Sequence, residues 1–384
     1  MDYDVVVIGA GIHGAAVAQA TAAHGYHTLL LEQYDAPAEG TSSKSSKLIH
    51  GGLRYLENGQ FRLVRECLVE RARLLRNAPH LVTLKPFFIP VYRDTQRRAT
   101  TIRLGLSLYR LLGGKSFGSV PRSQWPDLDG LRTDQLRAVF RYYDAQTDDA
   151  ALTRAVCASA ESLGASIRFR HAFLGAACDA RGCRVRYGHA DETGEVKSAA
   201  LVNAAGAWVN DVLREVEPLP RTLAVELVQG THIVLPGSLR RGVYYLEAPS
   251  DRRAIFAMPW QQRILLGTTE TAFRGDPGDV QALPREIDYL LAIYNHYFEA
   301  RLVPDQVIEA FAGLRVLPET PHAAFHRPRE TLLHVDESRC PRVLSIYGGK
   351  LTSHRVTAQR VVQALAPQLP RRTPRADTAT LKLP

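Results

Sequence analysis

Cysteine is scarce in this 384-residue chain: five residues, at 67, 157, 178, 183 and 340, odd in number and forming no pair of CxxC units. Cys178 and Cys183 have no second ligand pair nearby, so no metal site is expected, and a reduced cytosolic setting fits the scatter better than a disulfide framework. No uncharged apolar run approaches the roughly 20 residues that span a bilayer, so no transmembrane helix is expected. The start, Met1-Asp2-Tyr3-Asp4, is acidic where a signal peptide is basic. These absences point to the cytoplasm, or to a peripheral position on the inner face of the cytoplasmic membrane. Internal repeats are missing, as are a nucleic-acid-binding motif and a lysine-rich face with interleaved aromatics, so no nucleic-acid partner is expected. The net charge of +9 then asks for an anionic lipid surface or an anionic substrate.

What is present begins at Val5. The strand Val5-Val6-Val7-Ile8 leads into the turn Gly9-Ala10-Gly11-Ile12-His13-Gly14, an alanine-rich helix to Gly25, and a second strand, Thr28-Leu29-Leu30-Leu31, ending in Glu32. In this arrangement one glycine turns the chain, one lets the backbone approach a pyrophosphate, and one lets helix and strand pack closely. The helix N-terminus offers unpaired N–H groups and its positive dipole end to phosphate. Glu32 suits ribose hydroxyls and would repel a 2′-phosphate. The pattern predicts a dinucleotide site.

Further along, a serine-rich segment runs from Thr41 to Tyr55, and a charged helix is expected over about 61–76. A strand follows over 84–92, then a helix over 147–164 opened by Asp148 and Asp149, which suit a positive helix end. Strands around 167–169 and 183–187 lead to a buried strand ending in Asn203-Ala204-Ala205-Gly206-Ala207-Trp208. From about 221 to 328 short β-branched strands with turns between them read as an antiparallel sheet, interrupted by a helix near 285–298. A last strand over 342–346 precedes Tyr347-Gly348-Gly349-Lys350-Leu351-Thr352 and a final helix. Around 100–115 leucines at helical spacing are flanked by Arg97, Arg98, Arg103, Arg110 and Lys115, which fits either a helix lying in a membrane surface or an ordinary amphipathic helix.

With these segments placed, the chain resembles the FAD-dependent glycerol-3-phosphate dehydrogenases of the D-amino-acid oxidase-like flavoprotein superfamily, over nearly its whole length to about residue 365. The resemblance rests on Gly14, Ala18 and Gly25 extending the glycine pattern. It also rests on Ser45-Ser46-Lys47-Leu48-Ile49-His50-Gly51-Gly52-Leu53-Arg54-Tyr55, Tyr143-Asp144-Ala145-Gln146 with Asp148-Asp149-Ala150, and Gln229-Gly230-Thr231-His232. Gly267-Thr268-Thr269-Glu270, Gly313-Leu314-Arg315 and Gly348-Gly349-Lys350-Leu351-Thr352 complete it. It implies an α/β fold: a Rossmann-like FAD-binding domain built from discontinuous segments (1–80, 146–215 and 329–366), and an inserted α+β substrate domain (81–145 and 216–328) with a mostly antiparallel sheet. Residues 367–384, rich in Pro and Arg, are expected to form a flexible tail. Longer members of the family continue into a helical domain, so this chain is expected to be a short form without it. Val316 and Glu270 stand where the family usually has proline and aspartate.

FAD is the cofactor the resemblance implies. Its expected contacts are Gly9, Gly11, Ile12, His13, Gly14 and Glu32 at the dinucleotide unit, and Thr41, Ser42, Ser43, Ser46, Lys47, Leu48, His50 and Gly51 in the serine-rich segment. Gly206, Gly349, Lys350, Leu351 and Thr352 are expected beside the flavin. A solvated loop is the plain alternative for the serines. Arg54, Arg315 and Lys350 are the family positions suited to a phosphate dianion, the arginines in bidentate fashion, and Tyr55 is expected to help close the pocket. His232 leads as the base for the hydroxyl proton with His50 next, a structural hydrogen bond or substrate orientation being the alternatives, and Arg315 can stabilise a developing alkoxide. The implied reaction oxidises sn-glycerol 3-phosphate to dihydroxyacetone phosphate and passes electrons to a quinone, with an anionic membrane surface and a second copy of the chain (a homodimer) as further candidate partners. An oxygen-using oxidase, a dehydrogenase of another small hydroxy or amino acid, and a non-catalytic flavin-binding subunit of a membrane complex remain as rivals.

Overall fold

The strands around Val5 form because near-continuous apolar runs suit parallel strands covered on both faces. In the computed structural model, which describes residues 1–190, 192–319, 331–336 and 342–384, five strands lie parallel side by side. Their order is Val343–Tyr347, Glu192–Asn203, Tyr3–Ile8, Thr28–Leu31 and Ser166–Arg168. Cys340 and the expected boundary at 328/329 lie outside the described residues. On one face pack the helices Ile12–Ala23, Asp149–Ser162 and His354–Leu365, with Ala15, Ala16, Ala18 and Ala22 buried against Leu152, Val156 and Val361. The opposite face carries Val6, Ile8, Leu29 and Leu31, covered by side chains that include Val185, Val196 and Val316. An antiparallel meander, Ala172–Asp179 and Gly182–His189, extends this sheet beyond Glu192–Asn203.

A second sheet of ten strands among the described residues is mostly antiparallel. Val82–Tyr92 pairs with Leu136–Thr147, and Val225–Leu235 pairs with Glu309–Pro318; Val243–Glu247 runs parallel to Val82–Tyr92. Helix Pro284–Tyr297 covers one face through Leu290, Ile293 and Tyr294. Helices Phe61–Asn77 and Ala99–Leu111 cover the other through Val64, Leu68, Ile102 and Leu106. Strand Leu48–Ile49 pairs with Ala145 and Gln146, so the serine-rich segment passes from the first sheet into the second.

Two expectations are corrected. The tail does not trail free: Arg372 forms an ion pair with Asp4 at 3.0 Å, the Arg375 amide donates to Ala23 O, Gln359 Nε2 donates to Thr378 Oγ1, and the Leu383 amide donates to Asn77 O. Composition suggested solvation, but arginines can satisfy a buried carboxylate and the open carbonyls at helix ends. The reduced-cysteine expectation also fails for one pair. Cys178 and Cys183 oppose each other across the hairpin joining the meander strands and are bridged as a disulfide, a register that five-residue spacing alone does not disclose.

The helix expected near 285–298 ties the second sheet together through Glu286. Its carboxylate accepts from Gln229 Nε2 (2.6 Å), Thr231 Oγ1 (2.6 Å), Thr269 Oγ1 (2.7 Å) and Thr271 Oγ1 (2.7 Å). Burial pushes its pKa up, but these donors outweigh burial and leave it below the ordinary value. Each orphaned buried donor costs about 1–3 kcal/mol. Glu286→Ala is therefore expected to destabilise the protein by about 3 kcal/mol or more, read as a lower denaturant midpoint at unchanged m-value.

Candidate active site

The glycine-rich turn is built by close backbone approach. A Cβ on Gly14 would sit 1.8 Å from the Gly9 carbonyl oxygen, and Gly9 itself holds a φ of +94°, so neither position admits a side chain. The carboxylate of Glu32 accepts from Ala10 N (2.6 Å) and Tyr34 N (3.0 Å), fixing the end of the second strand against the turn. Burial raises the Glu32 pKa against those hydrogen bonds. Ser42 Oγ accepts from Ile12 N at 2.9 Å, so the serine-rich segment is docked on the first turn of the helix.

A cavity of about 630 Å³ runs from this turn into the second sheet. Of the expected cofactor residues, Gly9, Gly11, Ile12, His13, Glu32, Thr41, Ser42, Ser46, Leu48, His50, Gly206, Gly349, Lys350, Leu351 and Thr352 line it; so do Arg54, Tyr55, His232 and Arg315. Gly14, Ser43, Lys47 and Gly51 stand behind the wall instead. Lys47 Nζ is buried and paired with Asp149 Oδ1 at 2.5 Å, and it also donates to Ser43 O at 3.0 Å. Gly51 N donates to Tyr109 OH (2.8 Å), which donates to Asp144 Oδ2 (2.7 Å), and Asp144 is ion-paired with Arg71. Thus the helix Ala99–Leu111 turns Ile102, Leu106 and Tyr109 inward and anchors the Gly51-Gly52 turn. Leu104 and Leu111 remain 72% and 82% exposed on its outer side.

Polar groups with unmet capacity face the cavity. Lys350 Nζ is buried without a hydrogen-bond partner among the described residues, and sits 3.9 Å from the centroid of the Tyr55 ring. Gly52 permits that ring, since a Cβ there would lie 2.1 Å from Tyr55 Cδ2. His13 has neither ring nitrogen hydrogen-bonded among the described residues, and burial, followed by the nearby His354, lowers its pKa to about 3. These orphaned atoms, the side-chain-free turn and the Glu32 carboxylate fit a dinucleotide cofactor stretched from the first sheet towards Lys350.

His232 is 2% exposed, stacks on Phe311 and bonds Ser46 Oγ through Nε2 at 2.8 Å. Burial first, then the charges of Arg315 and Lys47, lower its pKa to about 3, so the ring is neutral at physiological pH. Arg315 Nη1 donates to Glu270 Oε1 at 2.8 Å, and Gly230 makes room for the guanidinium: a Cβ there would lie 2.7 Å from Arg315 Nη2. The anchors Asp149, Tyr109 and Arg71 were not foreseen as such. Asp149 and Asp144 stood inside quoted motifs, but nothing local said which partner each would meet.

Comparison with known proteins agrees with this geometry. The family described as DAO, FAD dependent oxidoreductase, matches residues 4–363. D-erythritol 1-phosphate dehydrogenase of Brucella abortus is 38% identical, over 94% of this chain and 73% of that protein. Glycerol-3-phosphate dehydrogenase of Pseudomonas aeruginosa is 36% identical, over 95% of this chain and 72% of its own. Among solved structures, the glycerol-3-phosphate dehydrogenase of Bacillus halodurans complexed with FAD superposes with a TM-score of 0.77 at 28% identity, covering 100% of this chain and 68% of that one.

A histidine held neutral by burial makes stability depend on pH. With its folded pKa near 3 and an unfolded value near 6.5, the unfolded state binds more protons between those limits, so stability falls as pH drops through that window. His232 alone should make the protein about 2 kcal/mol less stable at pH 5 than at pH 7. Thermal melts should show His232→Asn flattening that dependence.

Proposed function

We propose that this chain, which belongs to the family of FAD-dependent oxidoreductases, oxidises carbon 2 of sn-glycerol 3-phosphate to dihydroxyacetone phosphate. The observation that carries the reading is the buried Lys350 ammonium, without a hydrogen-bond partner among the described residues, in one cavity with Arg54, Arg315 and the neutral His232. A buried ammonium with three donors to satisfy calls for an anion, and a phosphoryl group is an anion that guanidinium and ammonium bind well. The relatives named above are, by name, dehydrogenases of phosphorylated polyols.

Bound FAD would supply the acceptor for the hydride leaving the carbinol carbon. The Gly9–Gly14 turn and the following helix would hold the pyrophosphate, Glu32 the ribose hydroxyls, and Gly348–Thr352 the ring's polar edge. Lys350 and Arg54 hold the phosphoryl group, with the Tyr55 ring fixing the ammonium. Ser46 Oγ, 2.8 Å from His232 Nε2, takes the proton leaving the substrate hydroxyl as it gives its own to Nε2, so that the proton ends on His232. Arg315 lowers the cost of the developing alkoxide. Stacking on Phe311 fixes the imidazole plane.

The four-carbon relative supports a second substrate, since an erythritol phosphate presents the same pairing of phosphoryl group and secondary alcohol. For the electron acceptor we favour a quinone. No described helix is long and apolar enough to cross a membrane, and the outward Leu104 and Leu111 beside Arg103 and Arg110 suit docking on an anionic bilayer surface, where quinone resides.

Anaerobic addition of glycerol 3-phosphate to the FAD-loaded protein should bleach the flavin, and failure of both phosphorylated polyols to do so refutes the reading. Arg54→Ala should raise KM at least tenfold, the loss of a charge-assisted contact worth about 1.5–3 kcal/mol, while FAD stays bound. With His232 as base, the acid limb of kcat/KM should lie below pH 5; a limb at the ordinary imidazole value would take the role away from His232. Stoichiometric hydrogen peroxide on turnover would instead identify an oxygen-using oxidase.

A further inference from the structure

Three cations of the cavity wall were expected to share one phosphate, but their surroundings differ. Arg315 carries its own counter-charge: Nη1 donates to Glu270 Oε1 at 2.8 Å, and the Glu270 side chain is only 6% exposed. Arg253, which also lines the cavity, donates from Nη1 to the Glu270 main-chain oxygen at 2.9 Å. Among the described residues Lys350 has no such carboxylate; its ammonium meets the face of Tyr55, and Tyr55 adjoins Arg54 in the short turn Leu53–Leu56. A phosphoryl dianion beside Glu270 would be repelled by a fixed carboxylate with little water to screen it, whereas beside Lys350 it would meet an uncompensated cation.

Resting on the oxidation proposed above, we infer that the two poles read opposite ends of the substrate. Lys350 and Arg54 take the phosphoryl group, and the Arg315–Glu270 pair takes the uncharged, hydroxyl-bearing end. An ionised carboxylate accepts up to about four hydrogen bonds and a guanidinium donates five, so the pair can engage a polyol hydroxyl from both sides while staying neutral as a unit. Thr268 Oγ1, which accepts from Arg315 Nη2 at 3.4 Å, extends this polar surface along the same wall. Glu270 is thereby a specificity-determining residue. Each hydroxyl added beyond the reacting carbinol gains an acceptor there, so the substrate class reaches past three carbons to longer phosphorylated polyols.

The test uses the FAD-loaded full chain, with flavin content as the check on folding. Inorganic phosphate titrated calorimetrically should bind at least tenfold more weakly to Lys350→Met and within threefold of the parent to Arg315→Gln. Equal losses in both variants overturn the division. Glu270→Gln should lower the ratio of kcat/KM for erythritol phosphate over glycerol 3-phosphate at least tenfold, and a ratio within twofold of the parent overturns the role of Glu270. Glu270→Asp, which keeps the charge but withdraws it by one methylene, should lower the ratio too, and it decides the point if the glutamine variant loses flavin. If neither polyol reduces the flavin, the oxidation reading fails, while the phosphate titrations still judge which cations take the anion.

Discussion

Asp149 is the first residue of a helix on the dinucleotide-binding sheet, yet its carboxylate accepts from Ser45 N, Ser45 Oγ and Lys47 Nζ, all on the serine-rich segment. That segment is the bridge between the two sheets, carrying Ser42 to the glycine-rich turn, Ser46 to His232, and Leu48–Ile49 into the second sheet. Because both partners are buried, removing either charge would strand the other in a low-dielectric interior, a loss of about 3–5 kcal/mol. One ion pair thus sets the spacing between the two walls of the cavity, one from each sheet. A second pin, from Arg71 through Asp144 and Tyr109 to Gly51 N, fixes the far end of the bridge. The lysine expected to touch cofactor positions the residues that line the cavity.

The electrostatics of the site follow from which groups are desolvated and which are compensated. His13 and His232 are kept neutral by burial, so neither imidazole adds positive charge to the cavity. Positive charge is concentrated instead in Lys350 and the arginines, and of these Arg315 is balanced by Glu270. The Glu286 hub behind the wall, with three threonines and Gln229 directed at one carboxylate, holds the strand that carries His232 and the turn that carries Thr268 and Glu270. A few buried carboxylates orient the side chains and turns that line the cavity.

The glycine spacing at 9, 11 and 14, the apolar run before it and the acid after it already specified a parallel βαβ unit, because backbone approach and strand burial are local demands written in adjacent residues. The same holds for the helix opened by Asp148, which caps Ala151 N at 2.9 Å. Membership of a flavoprotein family was legible too, since its motifs recur in order along the chain. What was misread or left open depended on distant partners. The tail reads as solvated until Asp4 and Thr378 are found waiting for Arg372 and Gln359. The leucine-rich helix near 100–115 shows its leucines but not that Tyr109 reaches Gly51.

The sequence by itself determined the βαβ unit, the order of segments and the inventory of cations and histidines, because each is a matter of residue type and short spacing. Only the tertiary structure decided which cation is compensated, which histidine is desolvated and which lysine is withdrawn from the cavity. Those properties are pairwise and arise from residues separated by 102 positions in the case of Lys47 and Asp149 and by 45 in the case of Arg315 and Glu270. Charge and burial act through space, and the fold alone sets those distances.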